Sequence, residues 1–132
     1  VPTHAKYLLV GSVETYSGKS ATVLGLSYQL QQKGLDIAYG KPLGTCLNTS
    51  AENVIEEDVQ FITHTLKLPE TRIAPTLLAL NATTIQKRLS GEDKTNYQQS
   101  LVQQYLQIPR GNLVLLEGPG DLSEGNLFDL SL

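Results

Sequence analysis

Apolar residues along this chain fall into short unbroken runs separated by longer stretches with a helical period. Lys6-Tyr-Leu-Leu-Val10 is a compact run closed by Gly11, the pattern of a buried strand. After a small polar loop from Ser12 to Ser17 the pattern turns helical at Gly18. Ala21, Leu24 and Leu30, widened by Val23 and Leu26, make one apolar stripe, and Gly34 behind Lys33 is the stop signal. Asp36-Ile-Ala-Tyr-Gly40 reads as a second, weaker strand ended by Lys41-Pro42. Strand, loop, helix and strand within about 35 residues is the size of a βαβ unit.

The second half repeats the alternation. Thr45 to Asn53 is polar and reads as loop, after which Ile55, Val59, Ile62 and Leu66 recur at helical spacing until Pro69. Thr71 to Leu80 is ambiguous and supports no strand assignment. Thr83 to Leu89 is expected as a short helix. Tyr97, Leu101, Tyr105 and Ile108 define a longer one that ends near Pro109, with both tyrosines on its packing stripe. Asn112-Leu-Val-Leu-Leu116 is the strongest strand, and it runs directly into Glu117-Gly-Pro-Gly-Asp121. Strands alternating with helices predict an α/β fold with a mainly parallel sheet, built as a single domain over residues 1–132. Three strands make a thin sheet with two bare edges, so further strands, a partner or self-association are expected.

Composition narrows the class. The chain has 132 residues, 40% hydrophobic and 17% charged, enough to bury a core. Its net charge of −3 disfavours nucleic acid as the main partner, because phosphate backbones normally meet a basic face. No apolar run approaches a membrane span and no signal peptide opens the chain, which leads to a cytoplasmic expectation. The single cysteine, Cys46, excludes an intrachain disulfide and a zinc cluster. The chain contains no Met and stops inside the apolar pattern Asn126-Leu-Phe-Asp-Leu-Ser-Leu132, so it is expected to be a C-terminally truncated piece of something longer.

The residues with the clearest chemistry are Gly18-Lys19-Ser20, set between a buried strand and an amphipathic helix. A glycine there lets backbone N–H groups wrap an anion, and the helix N-terminus adds positive potential. Lysine reaches the outer phosphates, and the serine hydroxyl can ligate magnesium. The bland alternative is a solvated lysine in a tight turn. The full phosphate-loop pattern places a glycine five residues before Gly18, where Val13 stands, so the loop Gly11-Ser-Val-Glu-Thr-Tyr-Ser-Gly-Lys-Ser20 is a variant. Glu117 closes the strongest strand, where open α/β sheets bind ligands, and is either a magnesium carboxylate or a polar residue before a turn. Asp58, within Glu56-Glu57-Asp58, reads locally as an acid complementing a helix dipole. Lys41 either faces the site or lies on the surface. His64 falls opposite its helix stripe and reads as solvated, His4 lies near the terminus, and Cys46 reads as an inert thiol.

In order, Lys6-Tyr-Leu-Leu-Val-Gly-Ser-Val-Glu-Thr-Tyr-Ser-Gly-Lys-Ser20, Gly40-Lys-Pro-Leu-Gly44, Glu57-Asp58 and Leu116-Glu-Gly-Pro-Gly120 resemble the dethiobiotin synthetase and cobyrinic acid a,c-diamide synthase family of P-loop proteins. The nearest look is the related N-terminal domain of long bacterial phosphate acetyltransferases, with its Ser-x-Glu-x-x-x-Gly-Lys-Ser loop. The resemblance spans nearly the whole chain and implies a P-loop NTPase-like three-layer α/β/α fold. It implies that Glu14, Thr15, Tyr16, Ser17, Gly18, Lys19 and Ser20 cradle ATP, with Lys19 on its phosphates. Ser20, Asp58 and Glu117 would surround Mg2+, and Lys41 would match the Lys-Pro lysine that assists phosphate or substrate, making Lys19 and Lys41 the catalytic candidates. The synthetases follow their glutamate with Gly-Ala-Gly-Gly, whereas this chain has Gly-Pro-Gly-Asp121.

Three functions are compatible with these residues. One is an ATP- and magnesium-binding module of the phosphate acetyltransferase N-terminal type, regulating or assembling a larger protein through a further C-terminal domain. Another is an ATP-dependent ligase that activates a carboxylate, in which magnesium and lysines would neutralise the moving phosphoryl group. The third is a degenerate scaffold without nucleotide. The departures at Val13 and Gly-Pro-Gly-Asp121 favour the module over the ligase.

Overall fold

The computed structural model describes residues 6–12, 18–44, 47–50, 53–79, 81–107 and 113–118. In chain order the elements are β1 (Tyr7–Val10), α1 (Lys19–Gln32), β2 (Ile37–Gly40), β3 (Leu43–Gly44), β4 (Leu47–Ser50), β5 (Asn53–Glu56) and α2 (Glu57–Leu66). A 3-10 turn at Glu70–Arg72 leads to β6 (Ile73–Ala74) and β7 (Leu78–Ala79), followed by α3 (Ala82–Leu89), α4 (Tyr97–Gln107) and β8 (Leu113–Glu117).

The three apolar runs pair as parallel neighbours, and β6 extends them into a four-stranded sheet of order β1-β8-β2-β6. Parallel neighbours need crossovers, and right-handed crossovers fix which face each helix covers. From β1 through β2 to β6 the chain advances across the sheet, then it returns to β8, so the return helix packs on the opposite face. Accordingly, Ile37, Tyr39 and Leu115 bury against Val23 of α1 and Val59, Ile62 and Leu66 of α2. On the other face Ala38, Ala74 and Val114 meet Tyr105 of α4. The result is the three-layer α/β/α arrangement with a parallel sheet at its centre. No helix among the described residues is long and apolar enough to cross a membrane.

The helix ends follow their local chemistry. At the end of α1, Gly34 adopts φ +82°, and Leu35 N–H returns to the Leu30 carbonyl at 3.1 Å. Asn81 and Thr84 form a reciprocal capping box on α3. Between α3 and α4, Arg88 lies 5.4 Å over the Tyr97 ring, and the Tyr97 hydroxyl donates to Asp93. Hydrogen bonds from Thr95 and Tyr97 pull the half-buried Asp93 carboxyl down to about 2.

Four local readings are corrected. The polar stretch read as loop from Thr45 to Asn53 contains β4 and begins β5, an antiparallel pair whose residues alternate too little in polarity to show a period of two. Ile55 belongs to β5, because Glu56 starts α2 as its cap. Short strands β6 and β7 lie within the ambiguous segment. Tyr97 is only half-buried, whereas Tyr105 is core with its hydroxyl donating to the Pro75 carbonyl at 3.2 Å.

On α1 the predicted stripe is also incomplete. Ala21 is exposed, and Ser27 is fully buried beside Val23. The Ser27 hydroxyl has no hydrogen-bond partner among the described residues. A buried hydroxyl that loses water without gaining a partner is destabilising, so Ser27→Ala is expected to raise stability by about 1 kcal/mol. Urea denaturation would register this as a higher midpoint with an unchanged slope.

Candidate functional site

The parallel register carries several polar side chains to one rim of the sheet. Val10 pairs with Glu117, and Gly40 pairs with Leu116. The chain therefore leaves β1, β2 and β8 at the same level, the end where open parallel sheets expose their loops. Gly118 N–H donates to the Val10 carbonyl at 2.9 Å and continues the ladder past Glu117.

Gly18 precedes α1 with φ +87°, a left-handed conformation that a side chain would strain. Among the described residues α1 has no capping side chain and no acid in its first turn. The other helices differ: Glu56 accepts from Val59 N–H at 3.0 Å, Asn81 from Thr84 N–H at 2.9 Å, and Asn96 from Gln99 N–H at 3.0 Å. Among the described residues no side chain caps the first amides of α1, whose first two residues are Lys19 and Ser20; a helix start of this kind is suited to an anion.

Ser20 Oγ donates to Glu117 Oε1 at 2.7 Å, and the Tyr39 hydroxyl donates to Glu117 Oε2 at 2.7 Å. Glu117 is fully buried, so these hydroxyls replace the water its carboxylate gives up. Burial, reinforced by the charge of Glu117 and the hydrogen bond to it, pushes the Tyr39 phenol far above its ordinary value. It therefore remains a donor at any physiological pH.

Lys41 stands just beyond β2 with its side chain 4% exposed. Its ammonium reaches Glu56 Oε1 at 2.6 Å and Asp58 Oδ2 at 2.5 Å. Burial alone would lower its pKa, but hydrogen bonds to Asp58 and Glu56, with the charges of Glu56 and Glu117, hold it above the usual lysine value. Glu56 is buried completely at its side chain, whereas Asp58 keeps 38% exposure. Thr76 Oγ1 donates to the Lys41 carbonyl at 2.9 Å and fixes the backbone beneath the ammonium.

The structure therefore joins Ser20 to Glu117 and Lys41 to Asp58, with Lys19 at the head of α1. Asp58 is engaged by Lys41 and makes no hydrogen bond to Ser20 or Glu117. Glu14, Thr15, Tyr16 and Ser17 lie outside the described residues, as do Val13, Cys46 and the segment Pro119 to Asp121. His64 is exposed, as its position opposite the stripe implies.

Two participants were not picked out from the sequence. Tyr39 precedes Lys41 by two residues, so strand alternation puts both on one face; that spacing was its signal. Glu56 stood inside an acidic triplet, and Ile55 at the head of the apparent stripe hid its place as the cap of α2.

A left-handed glycine before a helix that no described side chain caps, with a lysine and a serine at its start and a buried carboxylate facing that serine, has the chemistry that suits a phosphate. The family model described as an AAA domain matches residues 6–130, nearly the whole chain. The chain belongs to this AAA domain family and carries a P-loop nucleotide-binding module.

Proposed function

We propose that the domain binds ATP with magnesium and serves as a regulatory or assembly module, of the type found at the N-terminus of long bacterial phosphate acetyltransferases. The observation that carries the nucleotide reading is the Ser20–Glu117 contact at the open end of α1. Both candidate ligands are oxygens, as magnesium prefers, and their hydrogen bond holds them side by side at the start of α1. Among the described residues no three His, Cys, Asp or Glu side chains converge into a complete metal cage. A partial set suits magnesium, which takes its remaining ligands from phosphate and water.

Ser20 and Glu117 would hold the ion, with the half-exposed Asp58 as the third candidate. Bound magnesium would supply positive charge to the outer phosphate oxygens. Lys19 and the first amides of α1 would hold those phosphates from the protein side. Lys41 favours the module over the ligase, because its ammonium is already neutralised by two carboxylates and shielded from solvent. A lysine held that way binds its own protein more readily than a moving phosphoryl group.

Calorimetric titration of the chain with Mg·ATP, alongside Lys19→Ala, tests the reading. Lys19→Ala should weaken binding about 10- to 100-fold, the worth of one charge-assisted hydrogen bond. Phosphate release should stay at background. Turnover that requires both Lys19 and Glu117 would instead establish the carboxylate-activating ligase, and absence of binding would leave the scaffold.

A further inference from the structure

We infer that Tyr39 sets the cation preference of this site by occupying one oxygen of Glu117 and leaving the other to a metal. The inference rests on the magnesium-nucleotide reading above. Tyr39 pairs in register with Leu115, two residues before Glu117, so its side chain and the carboxylate share one face of the sheet. Its hydroxyl donates to Oε2, while Ser20 donates to Oε1, each at 2.7 Å. The hydroxyl has little freedom to leave. The ring is fully buried in the cluster formed by Ile37, Leu115, Val23 and Ile62.

The consequence for a cation follows from its size. Magnesium makes six short bonds near octahedral geometry, and one oxygen per carboxylate fits that requirement. Calcium makes six to eight longer bonds and readily takes both oxygens of one carboxylate. Each carboxylate oxygen has two lone pairs, so neither hydrogen bond blocks a metal outright. The difference is that Oε1 is shared with Ser20, itself a candidate ligand of the same ion, whereas Oε2 is shared with a phenol fixed in the core, which biases Glu117 toward the one-oxygen mode. Tyr39 is a positioning residue: it acts through Glu117 and meets neither nucleotide nor metal itself.

Tyr39→Phe keeps the ring and removes the hydroxyl. ATP affinity would be measured by calorimetry for wild type and variant, with saturating magnesium or calcium, and with a thermal unfolding curve for each protein. Wild type should bind ATP at least about tenfold more tightly with magnesium than with calcium. The variant should narrow that ratio by about tenfold, in the range seen when a partner of a metal ligand is lost. A merely structural role would lower the melting temperature and weaken both cations equally, and an unchanged ratio would overturn the inference. Lys19-dependent binding by wild type with no preference between the cations would overturn it as well, whether or not the variant folds. If wild type binds ATP with neither cation, the nucleotide reading itself fails and takes the inference with it.

Discussion

Replacing Lys41 with methionine is expected to destabilise the fold by about 3–5 kcal/mol, the usual consequence of removing one partner from a buried ion pair. Methionine fills much of the lysine volume, so the loss is electrostatic more than steric. Glu56 decides the magnitude. Its side chain is entirely inaccessible, and Lys41 neutralises the oxygen that Val59 N–H does not bind. Asp58 contributes less, since its 38% exposure lets water replace the ammonium. Combining Lys41→Met with Glu56→Gln should recover a large part of the loss, because a neutral amide can still accept from Val59 N–H. A urea double-mutant cycle measures this coupling directly. Additive effects of the two substitutions would show that the contact carries no special burden.

Gly40→Ala should cost about 1–3 kcal/mol, at the upper end of that range for overpacking. In an ordinary strand, alanine is the better residue by about 0.5–1 kcal/mol, so backbone preference predicts the opposite sign. Geometry reverses it. A Cβ at position 40 would lie 2.5 Å from Ala74 Cβ and 3.1 Å from both Cε1 and the hydroxyl of Tyr105. Ala74 has no torsion with which to retreat, and Tyr105 is held by its bond to the Pro75 carbonyl. Relief therefore requires β6 to separate from β2, or α4 to lift from the sheet. Ala74→Gly in the same chain removes the nearest obstruction and should restore part of the loss. Chemical denaturation of the single and double variants distinguishes this contact from a general intolerance of β2.

The parts of the fold that could be read in advance are those whose pattern has one physical cause. Leu113 to Leu116 form a strand buried on both faces, and their unbroken apolar run says so. Gly18-Lys19-Ser20 could be placed at a helix start because glycine, charge and periodicity change together there. The hairpin of β4 and β5 was hidden, since its backbone pairing leaves no clear trace in the polar sequence Leu47-Asn-Thr-Ser50. Ser27 was hidden for a related reason: it is polar, yet it occupies a fully buried position on α1. For the site, Lys41 and Glu117 were visible as strand-end residues. Their actual partners, Glu56 and Tyr39, lie 15 and 78 positions away in the chain, and only the folded register brings them there.

Strand β2 divides its duties by parity. Ala38 and Gly40 face Tyr105 and Ala74, where volume is fixed to within a methyl group. Tyr39, continued by Lys41, faces the carboxylates. The two sets of constraints therefore fall on alternate letters of the same tetrapeptide. A lineage could revise the ion chemistry at positions 39 and 41 while positions 38 and 40 stay locked by the helix behind them. Sequence divergence along Ala38-Tyr-Gly-Lys41 should accordingly be staggered, with every second residue free to follow a new ligand.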